Sequence, residues 1–94
     1  MKIGRVAATV VATIKHPALD GRRLLMVDLL DLEGKATGKD LLAVDSVGAG
    51  AGETVLVLDE GNGARQVLNA PQAPIRAVIV GIIDQLVVED HSVV

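Results

Sequence analysis

Apolar and polar residues alternate from Gly4 to Ile14, with Val6, Ala8, Val10, Ala12 and Ile14 on one side and Arg5, Thr9, Thr13 and Lys15 on the other. A period of two predicts a strand with one wet face. The next segment, His16-Pro-Ala-Leu-Asp-Gly-Arg-Arg, breaks the pattern: Pro17 has no N–H for a ladder and Asp20-Gly21 is a turn signal. A second strand is expected over Leu24 to Leu30, with Leu25, Val27 and Leu29 on one face and Leu24, Met26, Asp28 and Leu30 on the other. Both of its faces are largely apolar.

Asp31 to Asp40 reads as a polar hairpin connection with two glycines, leading into a third strand from Leu41 to Asp45. A glycine-rich stretch follows, Ser46-Val-Gly-Ala-Gly-Ala-Gly-Glu53, and then a fourth strand from Thr54 to Leu58. Asn62-Gly-Ala-Arg-Gln-Val-Leu-Asn69 has the length of two helical turns, with Asn62 as N-cap and Pro71 and Pro74 as stops. The last strand runs from Ala77 to Ile83, apolar on both faces, and its pattern continues through Asp84 to Val88. Short strands separated by turn signals predict a mainly all-β fold, a small barrel or sandwich, with one short helix.

A barrel interior absorbs one face of each strand. The second apolar faces at 24–30, 54–58 and 77–83 therefore need another cover, and one short helix is too small to provide it. This predicts a homo-oligomer, and a cyclic ring would bury two different patches on every subunit. The 94 residues form a single domain over 1–94, and a domain of this size buries only about 60–65% of its unfolded surface, so it gains from contacts with neighbours.

Composition narrows the function. The chain contains no Phe, Tyr or Trp, and it carries 9 basic against 12 acidic residues. Single-stranded nucleic acid is held by a positive groove lined with aromatic rings, so nucleic acid is not an expected partner. No apolar run approaches the roughly 18 residues that cross a bilayer, so no membrane partner is expected. Cysteine is absent, and Met1-Lys-Ile-Gly-Arg is not followed by an apolar signal segment, from which the expected location is the cytoplasm.

Chemical motifs are sparse. Gly48-Ala-Gly-Ala-Gly lacks the Lys-Ser/Thr and the following helix of a phosphate-binding P-loop, and the spacing also fails the dinucleotide fingerprint. His16 and His91 stand alone, without a second His or a Cys at metal-ligand spacing. Asp28, Asp31, Asp45 and Asp84 lie near strand ends, where acids more often cap turns or pair with Arg and Lys than converge on a substrate. No catalytic residue, metal site or cofactor is expected. Arg65, in the predicted helix, is either a bridge to a carboxylate or carbonyl or a plain surface charge.

Gly4-Arg-Val, Thr13-Ile-Lys-His-Pro-Ala-Leu-Asp-Gly-Arg-Arg-Leu-Leu-Met-Val27, Ala43-Val-Asp-Ser-Val-Gly-Ala-Gly-Ala-Gly-Glu-Thr-Val-Leu-Val57, Gly63-Ala-Arg65 and Ile79-Val-Gly-Ile-Ile-Asp84 together resemble the EutN/CcmL-type pentameric vertex proteins of bacterial microcompartment shells. The resemblance implies a five-stranded OB-like β-barrel with one short helix. It also implies a homopentamer that closes the corners of a polyhedral shell whose facets are tiled by hexagonal shell proteins, with no enzymatic activity. Gly48, Ala49, Gly50, Ala51 and Gly52 are then expected near the five-fold axis or the subunit contact, with Asp45, Arg65 and Asp84 at the subunit interface. Arg76 stands where the family commonly has an acidic residue, so an ion pair there must be rewired. The alternative on the same fold is an OB-like module for a small ligand or oligonucleotide.

Overall fold

The structure is a computed structural model that describes residues 1–11, 17–19, 21–60, 64, 67 and 76–85. Five strands, β1 (Lys2–Val10), β2 (Leu24–Leu30), β3 (Ala36–Asp45), β4 (Thr54–Asp59) and β5 (Ala77–Ile82), close into a barrel in the order β1-β2-β3-β5-β4. Every pairing is antiparallel except β3 with β5, which is parallel and consists of only Val44 beside Val78 and Asp45 beside Ile79. The barrel is thus sealed by its shortest seam, between segments more than thirty positions apart in the chain.

The interior is filled without a single aromatic ring. Val6, Leu25, Val27, Ala43, Val55, Val57 and Ile79 are at most 1% exposed and pack as one cluster. Fully burying a Val, Leu or Ile side chain stabilises the fold by about 1.5–3 kcal/mol, so these branched side chains supply most of the cohesion. A second cluster sits on the outer wall: Leu24, Val44 and Val78, with Val10, Leu58 and Val80 beside them, covered by Leu19 of the 3-10 turn Pro17–Leu19 and by Ala64. The second apolar face expected for these strands is therefore real, and the protomer covers part of it itself. Leu42, at 47% exposed, and Ile82, at 38%, stay outside that cover.

Three expectations change. The alternation assigned to β1 does not persist: the strand's described portion ends at Val10, and a bulge between Val6 and Ala8 shifts its register against β2. A bulge adds a residue to one strand, so Val6 points into the core while Ala8 lies exposed beside Met26 and Val10 joins the outer cluster. Residues 12–16 lie outside the described residues. β3 begins at Ala36, five residues earlier than Leu41, because the hairpin turns within residues 31–35. There the Asp31 carboxylate accepts the N–H groups of Glu33 (2.8 Å) and Lys35 (3.0 Å), and Gly34 takes a φ of 83°. Lastly, β5 ends at Ile82 and the chain bends at Asp84. Of the expected helix over 62–69, Ala64 and Val67 are helical, with the Ala64 N–H on the Glu60 carbonyl at 2.8 Å, and the rest lies outside the described residues.

Candidate functional site

The glycine stretch folds on two carboxylates, one at each end. At the entry, Asp45 Oδ1 accepts three successive backbone N–H groups, from Val47 and Gly48 at 3.1 Å and from Ala49 at 3.2 Å. An aspartate bonding to the backbone just after it is the physical basis of the Asx-turn. The other oxygen, Oδ2, pairs with Arg23 Nη1 at 3.1 Å, and the same guanidinium nitrogen donates to the Ala49 carbonyl at 3.0 Å. The Asp45 side chain is 3% exposed, so these partners replace its water.

At the exit, Glu53 Oε1 accepts the Gly50 N–H at 2.6 Å, while the Glu53 N–H returns to the Gly50 carbonyl at 3.1 Å. That four-residue turn places Gly52 at a φ of 85°, a left-handed conformation that glycine adopts without a Cβ penalty. Gly48 sits at 80° for the same reason. The loop is then stitched to its surroundings: Gly52 N–H to the Val6 carbonyl at 2.8 Å, Val6 N–H to the Glu53 carbonyl at 3.0 Å, and Ser46 Oγ to the Ile79 carbonyl at 2.6 Å.

Within this frame the five candidate loop residues divide. Ala49 is completely buried and belongs to the barrel core, so its methyl group anchors the loop to the barrel. Gly48, Ala51 and Gly52 are exposed, as is Val47 at 39%, and together they make a small uncharged surface. Gly50 is half-buried against the Glu53 carboxylate. Asp45 is the residue that shapes the loop. Asp84 is exposed, two residues past the end of β5. Arg65 lies outside the described residues, as do His16 and His91.

Sequence reading missed Arg23, Ser46 and Glu53. Glu53 carried a usable signal, since an acid directly after a glycine turn can bond back to it. Arg23 carried none, because its partner lies 22 residues further along the chain. Among the four aspartates considered for a carboxylate cluster, Asp31 and Asp45 each organise their own turn and Asp28 lies beside Arg5 and Asp40 in the sheet register. Among the described residues no group of three His, Cys, Asp or Glu is placed to hold a metal ion.

A separate ion-pair cluster joins the start of β1, the end of β4 and Arg76, the residue just before β5. Asp59 Oδ2 meets Lys2 Nζ at 3.0 Å and Asp59 Oδ1 meets Arg76 Nε at 3.1 Å. The Lys2 hydrogen bond, followed by that of Arg76, holds the Asp59 carboxyl below the usual aspartate range against an opposing push from burial. Arg76 thus has its carboxylate partner in Asp59.

The comparisons with known proteins match nearly the whole of this chain. A family model described as ethanolamine utilisation protein EutN/carboxysome covers residues 1–84. The chain belongs to the EutN/CcmL family. It is 46% identical over 94 residues to the carboxysome shell vertex protein CcmL of Nostoc sp., covering 99% of this chain and 92% of that one. It is 38% identical over 87 residues to the bacterial microcompartment shell vertex protein EutN of Salmonella typhimurium, covering 93% and 87%. Among solved structures, the GrpN pentameric microcompartment shell protein from Rhodospirillum rubrum superposes with a TM-score of 0.83 at 40% identity, over 94% of this chain and 100% of that one. The closed five-stranded barrel is thus the architecture that this EutN/CcmL chain shares with its solved relatives.

Proposed function

We propose that this EutN/CcmL chain is a structural shell protein: five copies form a ring that caps the five-fold vertices of a bacterial microcompartment. The observation that carries the reading is the near full-length identity to proteins named as shell vertex proteins, together with the superposition on a pentameric one. The mechanism is shape. A sheet of hexagonal tiles is flat, and five-fold units add the curvature that lets the shell close around its enzymes, so the chain itself performs no reaction. Its expected partners are four further copies and the hexagonal shell proteins of the facets, within the cytoplasm.

In this reading the glycine loops of five subunits converge at the ring axis. Val47, Gly48, Ala51 and Gly52 supply small uncharged surface there, and the two carboxylate clamps hold each loop in one shape before the ring forms. Pre-shaped surfaces lose less entropy on association. Asp45 contributes to the interface indirectly, by fixing that loop, while Arg65 and Asp84 contribute contact surface. Lack of aromatic rings and the net charge of −3 weigh against the oligonucleotide-binding module.

Native mass spectrometry of the purified protein tests this. The expected particle is about 48 kDa, five copies of the 9.7 kDa chain. Co-expression with hexagonal shell proteins should then convert open or elongated assemblies into closed polyhedra by electron microscopy. A particle that stays monomeric or dimeric at every concentration sinks the proposal.

A further inference from the structure

Two grooves on the outer wall of the barrel meet at Ile3, Leu30 and Asp31. The larger, about 630 Å³, lies beneath the β2–β3 hairpin and is floored by Ile3 and Leu56, which face each other across β1 and β4. Its rim carries Met1, 75% exposed, and Leu32, 63% exposed. The smaller, about 140 Å³, continues past Arg5 and Thr54 to Asp84 and Gln85. The groove therefore begins where the described chain ends. The bend at Asp84 turns the backbone out of β5 onto this wall, after the Ile83 N–H is held by the Thr54 carbonyl at 2.8 Å.

The residues that follow are Leu86-Val-Val-Glu-Asp-His-Ser-Val-Val94, of which five of nine are Leu or Val. Fully extended, nine residues reach about 30 Å, whereas Thr54 and Leu56 stand only about 7 Å apart along their strand. The groove also offers charge to the acidic pair Glu89-Asp90: Lys2 and Lys39 line its far end, and Lys39 forms no ion pair among the described residues.

We propose that residues 86–94 of the same chain fold back along this groove, laying Leu86, Val87 and Val88 over Ile3, Leu30 and Leu56 and bringing Glu89 and Asp90 to Lys2 and Lys39. The occupant is the chain's own segment because Gln85, the residue directly before it, already lines the groove mouth, so closure needs almost no loop and costs little entropy. The family model ends at residue 84, so its match does not itself include the segment. It stands whether or not five copies form a ring.

The absence of native cysteine allows a direct test with introduced ones. In the full chain, a Leu56→Cys thiol should be alkylated about ten-fold more slowly than in the same variant carrying Leu86→Ser, Val87→Ser and Val88→Ser, as expected of a covered site. Leu42→Cys, on the wall outside this groove, should react equally in both backgrounds. Equal rates at position 56 overturn the proposal. The double variant Leu56→Cys/Val88→Cys, treated with a short bismaleimide, should give a cross-linked single chain on a denaturing gel. A ladder of covalent oligomers assigns the groove to a neighbouring copy, and no cross-link leaves it uncovered; either result overturns the assignment.

Discussion

Arg23 and Asp45, 22 residues apart, meet at 3.1 Å, and the guanidinium that neutralises the carboxylate also donates to the carbonyl of Ala49 inside the loop that the carboxylate organises. One ion pair thereby holds a loop closed from two directions. Each isolated surface pair contributes little, but this carboxylate is nearly buried and also accepts three backbone N–H groups.

Asp45→Ala should consequently be far more damaging than an average surface change. Losing hydrogen bonds to a charged group costs about 1.5–3 kcal/mol, which for a domain of this size lowers the melting temperature by about 4–8 °C per kcal/mol. Asp45→Asn keeps the Oδ1 acceptor and should fall between the two. Thermal melts at matched protein concentration check this; equal melting temperatures for Asp45→Ala and the parent chain would show that the loop holds without its clamp.

The glycines of the loop should rank by backbone angle. Gly48→Ala and Gly52→Ala each force an L-residue into the left-handed region, at φ of 80° and 85°, at a cost of about 1–2 kcal/mol. Space is not the obstacle at either, since a Cβ there meets nothing within 4 Å. Gly50 has no such φ, and its Cβ would meet only Glu53 Oε1 at 3.3 Å, so Gly50→Ala should be the mildest of the three in denaturant midpoint. Gly50→Val adds bulk and should impair ring formation in native mass measurements.

Gly4 should tolerate nothing larger. A Cβ at this position would collide with Val27 Cγ1 and stand 3.0 Å from the Asp28 carbonyl oxygen, on the inner side of β1. Overpacking of this sort costs about 1–3 kcal/mol or more. Gly81→Ala is the control, because its Cβ would make an ordinary 3.8 Å contact with Leu56. Urea unfolding should separate the two; similar midpoints would mean that β1 and β2 shift apart freely.

Asp59 makes stability depend on acid. Its carboxyl is held below the 3.8 of a free aspartate, first by Lys2 and then by Arg76. A depressed folded value means that the stabilisation is fully present above the unfolded value and is lost as pH falls through the folded one. The parent chain should therefore lose its advantage over Asp59→Asn below about pH 4, and Lys2→Ala should shrink that advantage more than Arg76→Ala, whose side chain is 83% exposed. Melting curves from pH 7 down to pH 2.5 check this, and a parent-minus-variant difference that does not change with pH would refute it.

Much of this protein was legible in the sequence. The strands at Leu24–Leu30 and 54–58, the start of the last strand at Ala77, the glycine loop and the need to cover a second apolar face all follow from patterns a few residues long. Local patterns report local geometry, because alternation and glycine spacing act through neighbouring residues. Only the tertiary structure decided the rest. The bulge after Val6 sends Ala8 to the outer wall, Arg23 finds Asp45, Arg76 finds Asp59, and two parallel pairs at Val44 and Asp45 close the barrel. Those choices depend on register between segments distant in the chain. A shift of one residue exchanges the two faces of a strand, and only the packing of all five strands together selects among the registers.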